Sequence, residues 1–118
     1  MIPLLILLQF TNWDPTPTGN IEHADQRMTQ ACQTASMLGS ELNERCLCVQ
    51  RQMRANKDAV AYPFMAEMAA EVLFKGRART SEAVVAQRLK AYRIDIEHAK
   101  KDPAVQKLIS SAMSVCRR

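Results

Sequence analysis

The stretch ACQTASMLGSELNERCLCVQ, residues 31–50, holds three of the chain's four cysteines around one glycine. Cys32 and Cys46 lie seven residues on either side of Gly39, and Cys48 follows two residues after Cys46. Gly39 is expected to end one helix in the left-handed conformation, and Ser40 to cap the next helix. These two helices would run antiparallel, with residues equally far from the turn facing each other. The spacing therefore favours a disulfide between Cys32 and Cys46.

Cys48 lies about 200° around the second helix from Cys46, at about 100° per residue, so it faces away from the first helix. It can therefore reach Cys116 in the last helix, and we rank the pairs Cys32–Cys46 and Cys48–Cys116 first. Cys32–Cys48 with Cys46–Cys116 ranks second. The third connectivity would require a strained bridge between Cys46 and Cys48 and ranks last.

Other uses of the cysteines and histidines lack a supporting pattern. Zinc knuckles use C-x2-C pairs in loops, whereas C-x-C within a helix points its two thiolates apart. His23 and His98 belong to separate helices, with no spacing that joins them to the cysteines. No nucleophile elbow, redox C-x2-C pair or glycine-rich phosphate loop occurs. We expect no catalytic residue, no metal ligand and no cofactor, and the sequence identifies no binding residue.

Helical periodicity continues through most of the chain. Spacings of three and four residues between apolar positions predict five helices, and no alternating run predicts a strand. Asp58 or Pro63 would begin the third helix, and Asp102-Pro103 would supply the N-cap and first residue of the fifth. The five predicted helices span residues 21–38, 40–56, 58–75 or 63–75, 81–101 and 103–116. The fourth, 81–101, is the longest. The fold expected is an all-α, compact bundle of about five helices held by two disulfides.

The first 19 residues differ from the rest in composition. Seven apolar residues run from Ile2 to Leu8, far fewer than the roughly 20 that span a bilayer as a helix. The run resembles the apolar part of a secretory signal, but no basic residue precedes it and no small-x-small cleavage site follows. We therefore divide the chain into an incomplete signal-like segment and Pro-rich linker, 1–19, and a helical domain, 20–118. An ordered strand or helical turn is the alternative for the apolar run, and whether 1–19 are cleaved stays open.

Charge is distributed unevenly along the chain. Residues 1–58 carry five basic and six acidic side chains, a net charge of −1. Residues 59–118 carry eleven basic and six acidic side chains, a net charge of +5, and the whole chain therefore has +4. Glu82, Asp95 and Glu97 interrupt the basic residues of the second half, as on a solvated helix surface. Nucleic acid is therefore not an expected partner. A basic helix 81–101 lying on an anionic membrane is an alternative, although membrane contact is not favoured.

The cysteine and helix order resembles a known group of proteins. Over residues 28–116 the chain resembles small periplasmic helical immunity proteins of the Tai/Rap type. The shared features are Cys32, a second cysteine in the next helix, Cys46, and the terminal segment DPAVQKLISSAMSVC that ends at Cys116. Those proteins bind and block cell-wall amidases delivered by type VI secretion. Two stretches depart from the group. An aromatic residue and a glycine typically follow the second cysteine in the group, whereas this chain has CLCVQRQM. The group also has a Phe-Pro pair at its last cysteine, whereas this chain has SVCRR.

Together these patterns predict an exported, disulfide-stabilised protein that binds another protein and is not an enzyme. The resemblance implies a narrower form of this prediction, an immunity or inhibitor protein. Disulfides form in oxidising compartments, so we expect the periplasm or secretion. An envelope or membrane-surface structural protein and a thiol or metal-binding protein are the alternatives. The partner's identity and the oligomeric state stay open.

Overall fold

Six α-helices make up most of the described chain. The structure is a computed structural model that describes residues 17–75 and 78–117, apart from the side chains of residues 74–81. The helices are α1 (Ile21–Ser36), α2 (Ser40–Asn56), α3 (Ala61–Lys75), α4 (Ala78–Leu89), α5 (Ile96–Lys101) and α6 (Pro103–Val115). No strand occurs within these ranges, so the all-α prediction is confirmed. Residues 1–16 of the predicted leader and linker, and Gly76 at the predicted end of the third helix, lie outside the described residues.

The turn between α1 and α2 differs from the prediction at its glycine. α1 ends at Ser36 and not at residue 38. The amides of Met37 and Leu38 donate hydrogen bonds to the carbonyls three residues back, those of Thr34 and Ala35, and these bonds end the helix. Gly39 has φ 142° and ψ 149°, so it is the N-cap of α2 and not a left-handed end of α1. Ser40 is consequently the first helical residue and not the cap. The positive φ still requires glycine, because other residues avoid it.

The start of α3 combines the two predicted alternatives. The Oδ1 atom of Asp58 accepts hydrogen bonds from the amides of Val60, at 2.9 Å, and Ala61, at 2.7 Å. Pro63 then lies in the first helical turn, where its missing amide hydrogen is not needed. The Asp102-Pro103 prediction is confirmed, since Asp102 Oδ1 accepts from the Ala104 amide at 2.9 Å and Pro103 begins α6.

The prediction of one long helix over residues 81–101 is wrong, because the helix is interrupted between α4 and α5. A 3₁₀ turn, Lys90–Tyr92, is followed by Arg93 in the left-handed region at φ 60°. The amide of Ile94 donates to the carbonyl of Leu89 at 3.1 Å, and that of Arg93 to Lys90 at 2.9 Å. This bond pair is the Schellman ending of a helix. Asp95 then caps α5, accepting from the His98 amide at 3.1 Å.

α3 is the central helix of the bundle, since it contacts each of the other five helices. α1 packs on α2 and on α3, while α4 covers α3 and α6 contacts both α2 and α3. The contact face of α1 contains Ala24, Ala31 and Ala35, all fully buried, together with Met28. Small side chains let helix axes approach closely, so α1 can pack tightly against its two neighbours. The linker also reaches this body, since a Cβ at Gly19 would lie 2.4 Å from the Ala91 carbonyl oxygen.

Candidate functional site: an apolar groove beside the disulfides

The four predicted site cysteines form the two disulfides that were ranked first. Cys32 in α1 is bonded to Cys46 in α2, with Cα atoms 5.3 Å apart. Cys48 is bonded to Cys116 at the end of α6, with Cα atoms 5.6 Å apart. The first bridge joins the helical hairpin, and the second attaches the last helix to α2. Among the described residues no cysteine is free.

An open groove lies between α2 and α3, next to the disulfides. Its cavity volume is about 360 Å³. Nearly all of its lining is apolar, and it includes four methionines: Met28 from α1, Met65 and Met68 from α3, and Met113 from α6. Its remaining lining residues are Leu42, Arg45, Cys46, Val49, Ala69, Val72 and Leu73.

The groove exists because α3 is apolar on two sides. Ala61, Phe64, Ala66 and Ala70 face the core and are buried. Met65, Met68 and Val72, spaced by three and four residues, follow a second face along the groove. A helix that is apolar all round is normally covered all round. On α3 the second face is left open by the described helices around it, so side chains that would usually be core line a surface depression.

Apolar side chains continue onto the rim of the groove. Leu42, Val72 and Met113 are 38%, 39% and 46% exposed. Beyond Leu42, the turn residues Met37 and Leu38 are the most exposed large apolar side chains of the described chain. Single exposed apolar residues are ordinary, whereas large contiguous apolar patches mark interaction surfaces in soluble proteins.

Positive charge borders the groove where α6 ends. Arg45 lines the groove, and it also lines an adjoining hollow together with Val49, Met113, Cys116 and Arg117. The guanidinium of Arg45 bonds Glu41 Oε1 at 2.8 Å, and both side chains are largely exposed. Such surface ion pairs exchange readily with solvent or with another charged group.

A second polar cluster lies inside the bundle. Arg27 and Arg88 each donate from Nε to the same oxygen, Glu67 Oε1, at 3.2 and 2.6 Å. Arg27 and Glu67 are fully buried and the Arg88 side chain nearly so. Burial and the Glu67 charge raise the pKa of the neighbouring Tyr92 to about 12. This cluster joins α1, α3 and α4, and its enclosure from solvent gives it a structural role.

A third cluster centres on Asp25, near the N-terminus of α1. Arg54 donates to both carboxylate oxygens, at 2.6 and 3.0 Å, and the hydroxyl of Tyr62 donates to the same group. The buried Gln50 amide donates to Thr29 and to Asp25. The Arg54 hydrogen bond holds the pKa of Asp25 below its usual value. The cluster links α1, α2 and α3 at the end of the hairpin away from the turn.

Within the described part of the chain, no group of three or more His, Cys, Asp or Glu side chains is placed to hold a metal ion. None of its helices combines the length and the hydropathy needed to cross a bilayer. The basic helix 81–101, on which the membrane-surface alternative depended, is interrupted at Arg93, and Arg88 is turned inward to Glu67.

No family model matches this chain, and no curated protein or solved structure matches it either. The site therefore rests on geometry alone. Sequence reasoning did not identify the groove, because periodicity predicts that Met65, Met68 and Val72 are apolar without telling which face a neighbour covers. The one available signal was the composition of the α3 segment, in which Glu67, Glu71 and Lys75 are the only charged residues.

Proposed function

We propose that this chain is an exported protein-binding domain without chemistry of its own, and that the groove between α2 and α3 is its binding surface. The observation that carries the proposal is the apolar face of α3 that the described helices leave uncovered. Burying such a face contributes roughly 25 cal/mol per Å² of apolar area, so a partner that covers it gains affinity. Methionine side chains suit this role, because their flexible thioethers adapt to different partner shapes.

The state of the cysteines supports a binding role over thiol or metal chemistry. Thiolates act as nucleophiles and as ligands for soft metals, and a disulfide removes both abilities. All four cysteines are paired in the described structure. The buried carboxylate of Glu67 is engaged by Arg27 and Arg88 and faces away from solvent.

The same disulfides support export. Structural disulfides persist in oxidising compartments and are rare in the cytosol. A protein with two of them is therefore suited to the periplasm or to secretion. In its narrower form the proposal is that the bound protein is an enzyme and that the chain blocks it, as the order of cysteines and helices suggests by its resemblance to helical immunity proteins.

Site-specific photo-crosslinking in the native cell tests the proposal. A benzophenone amino acid is placed at Leu42 or Val72 in the groove, and at Leu47 or Val84 as controls. The pairs are matched, because Leu42 and Leu47 are each 38% exposed on α2, and Val72 and Val84 are 39% and 38% exposed. We expect one protein adduct of defined mass from the two groove positions, absent from the controls and identified by mass spectrometry of its linked peptide.

A charged substitution provides the second arm. Leu42→Glu places a carboxylate in the groove and should abolish the adduct formed at position 72, while Leu47→Glu should leave it unchanged. The proposal fails when groove and control positions give the same adducts, or when neither gives any.

A further inference from the structure

We infer that the partner segment seated in the groove is an amphipathic α-helix of about two turns that carries an acidic side chain at the end facing Arg45 and Arg117. This inference rests on the proposed function and specifies the chemistry of its ligand. Three features of the groove lead to it: the helix already packed beside it, its length, and the charge at one end.

The neighbouring surface of the same two helices already holds a helix. α6 packs against both α2 and α3, and its Val105 and Ala112 are buried in the core. Met113 in the last turn of α6 is also part of the groove lining. The open groove thus begins where α6 ends. A valley between two helices that accepts α6 has the width for a second helical segment next to it.

The length of the groove sets the length of its ligand. From Met65 to Leu73 the wall formed by α3 extends about 12 Å, and from Leu42 to Val49 the wall formed by α2 extends about 10 Å, at about 1.5 Å per residue. Anchors at positions i, i+4 and i+7 of a helix span about 10 Å. A segment of two turns with three large apolar anchors therefore fills the groove.

The charge at one end indicates the polar part of the ligand. Arg45 and Arg117 both line the hollow that adjoins the groove beside Val49 and Met113. Glu41 and Glu44 line a separate hollow with Arg45, Cys48 and Cys116, and not the hollow that Arg117 lines. A partner carboxylate is thus favoured on the Arg117 side. There it can bond Arg45, whose present partner Glu41 is an exposed side chain that water can solvate instead.

Fluorescence anisotropy with synthetic peptides tests the inference on the full, oxidised protein. The probes are fluorescein-labelled helical peptides of about 14 residues with Leu at i, i+4 and i+7 on an Ala/Gln background. One carries a Glu pair before the first anchor, one a Glu pair after the last, one only Gln, and one a Lys pair at each end. We expect one of the two Glu peptides to bind at least tenfold more tightly than the Gln peptide, and the Lys peptide to bind most weakly.

Two variants locate the effect. Arg45→Glu with Arg117→Glu should reverse the order, so that the Lys peptide binds best. Leu42→Glu should weaken all peptides at least tenfold, while Leu47→Glu should not. Equal binding of the four peptides would overturn the acidic-end inference. Absence of peptide binding, with groove-specific crosslinking still present, would overturn the helical ligand and leave the proposed function standing.

A second copy of the chain as the occupant is the remaining outcome. Analytical ultracentrifugation would then show a dimer that Leu42→Glu dissociates and Leu47→Glu does not. That result would overturn the inference of a helix from another protein, because the groove would then hold a second copy of this chain. Failure of the proposed function itself is recognised separately, by crosslinks that do not distinguish groove positions from controls.

Discussion

At Glu67, one carboxylate oxygen accepts hydrogen bonds from two arginines of different helices inside the bundle. Its side chain is fully buried, and so is that of Arg27. A buried ion pair stabilises little when it forms, because desolvation offsets the attraction, but removing one partner is costly. Glu67 therefore acts as the common link between α1, α3 and α4.

Replacing this carboxylate should be strongly destabilising. We expect Glu67→Gln to lower the free energy of unfolding by about 3 to 5 kcal/mol, because two buried guanidinium groups lose their shared counter-charge. Glu82→Gln is the control, since it removes an exposed ion pair with Lys100 and should leave the free energy of unfolding nearly unchanged. Denaturant unfolding measures both. A loss below 1 kcal/mol for Glu67→Gln would contradict the structural role given to this residue.

His23 makes the stability depend on pH. Burial lowers its pKa below the usual 6.5, with Arg88 and Arg27 acting in the same direction and Glu67 against them. The unfolded chain therefore binds a proton at this imidazole more readily than the folded protein, and stability falls as the pH drops through 6.5. Asp25, whose pKa is lowered chiefly by its hydrogen bond from Arg54, contributes stability that is lost only below about pH 4.

The range from pH 7.5 to 5 thus isolates His23 from Asp25. We expect guanidinium unfolding midpoints of the unmodified protein to decrease over this range, and those of His23→Gln to decrease less, since glutamine binds no proton. An identical pH dependence in the two proteins would show that His23 is not the responsible group.

At the scale of the helical element, the break between α4 and α5 is set by local bonds. Arg93 occupies a left-handed conformation that glycine usually adopts at this position. Leu89 and Ile94 are both buried, and the amide of Ile94 donates to the carbonyl of Leu89 five residues back. The Schellman ending is thus held by core packing against the preference of arginine itself.

This conflict predicts a stabilising substitution. Arg93→Gly should raise the free energy of unfolding by up to about 1 kcal/mol, because glycine adopts the left-handed region without a Cβ penalty. Arg93→Val should lower it by about 1 to 2 kcal/mol, since β-branched residues fit that region worst. Thermal unfolding of the two variants measures the difference. Equal midpoints would mean that this backbone conformation is not maintained in solution.

At the scale of the whole molecule, the disulfides hold the hairpin and the last helix together. Cys48–Cys116 closes a loop with a sequence separation of 68, and Cys32–Cys46 one with a separation of 14. In the chain-entropy model these loops contribute about 4.4 and 3 kcal/mol. The longer bridge also fixes the end of α6, and with it the Met113 wall of the groove.

Removing the longer bridge should cost more than removing the shorter one. We expect the pair Cys48→Ala and Cys116→Ala to lose about 4 kcal/mol, and the pair Cys32→Ala and Cys46→Ala about 3 kcal/mol. Alkylation followed by intact-mass measurement should count no reactive thiol in the native protein and four after reduction. Four thiols without reductant would contradict both bridges and the argument for export.

The sequence predicted the parts of this fold that depend on spacing and local chemistry. Both disulfides followed from the distances of Cys32 and Cys46 to Gly39 and from the angular offset of Cys48. The Asp102 cap followed from an Asp-Pro pair. The break at Arg93 was missed, because the residue there is not glycine and the apolar spacing continues across it.

The ion cluster and the groove could not be predicted in the same way. Glu67 has the same sequence appearance as a surface glutamate, and only the arrangement of α1 and α4 places Arg27 and Arg88 beside it. The groove depends on which face of α3 stays uncovered, and that is decided by where α6 ends. Both features are properties of the assembled bundle and not of any one segment.

Methionine-methyl NMR tests most directly whether the groove is the binding surface. With ¹³C-methyl methionine in the full oxidised protein, the partner identified by crosslinking is titrated in. We predict that the methyl resonances of the four groove methionines, Met28, Met65, Met68 and Met113, shift or broaden, and that Met53 in the core does not. Binding that leaves all four groove methyls unchanged would contradict the account.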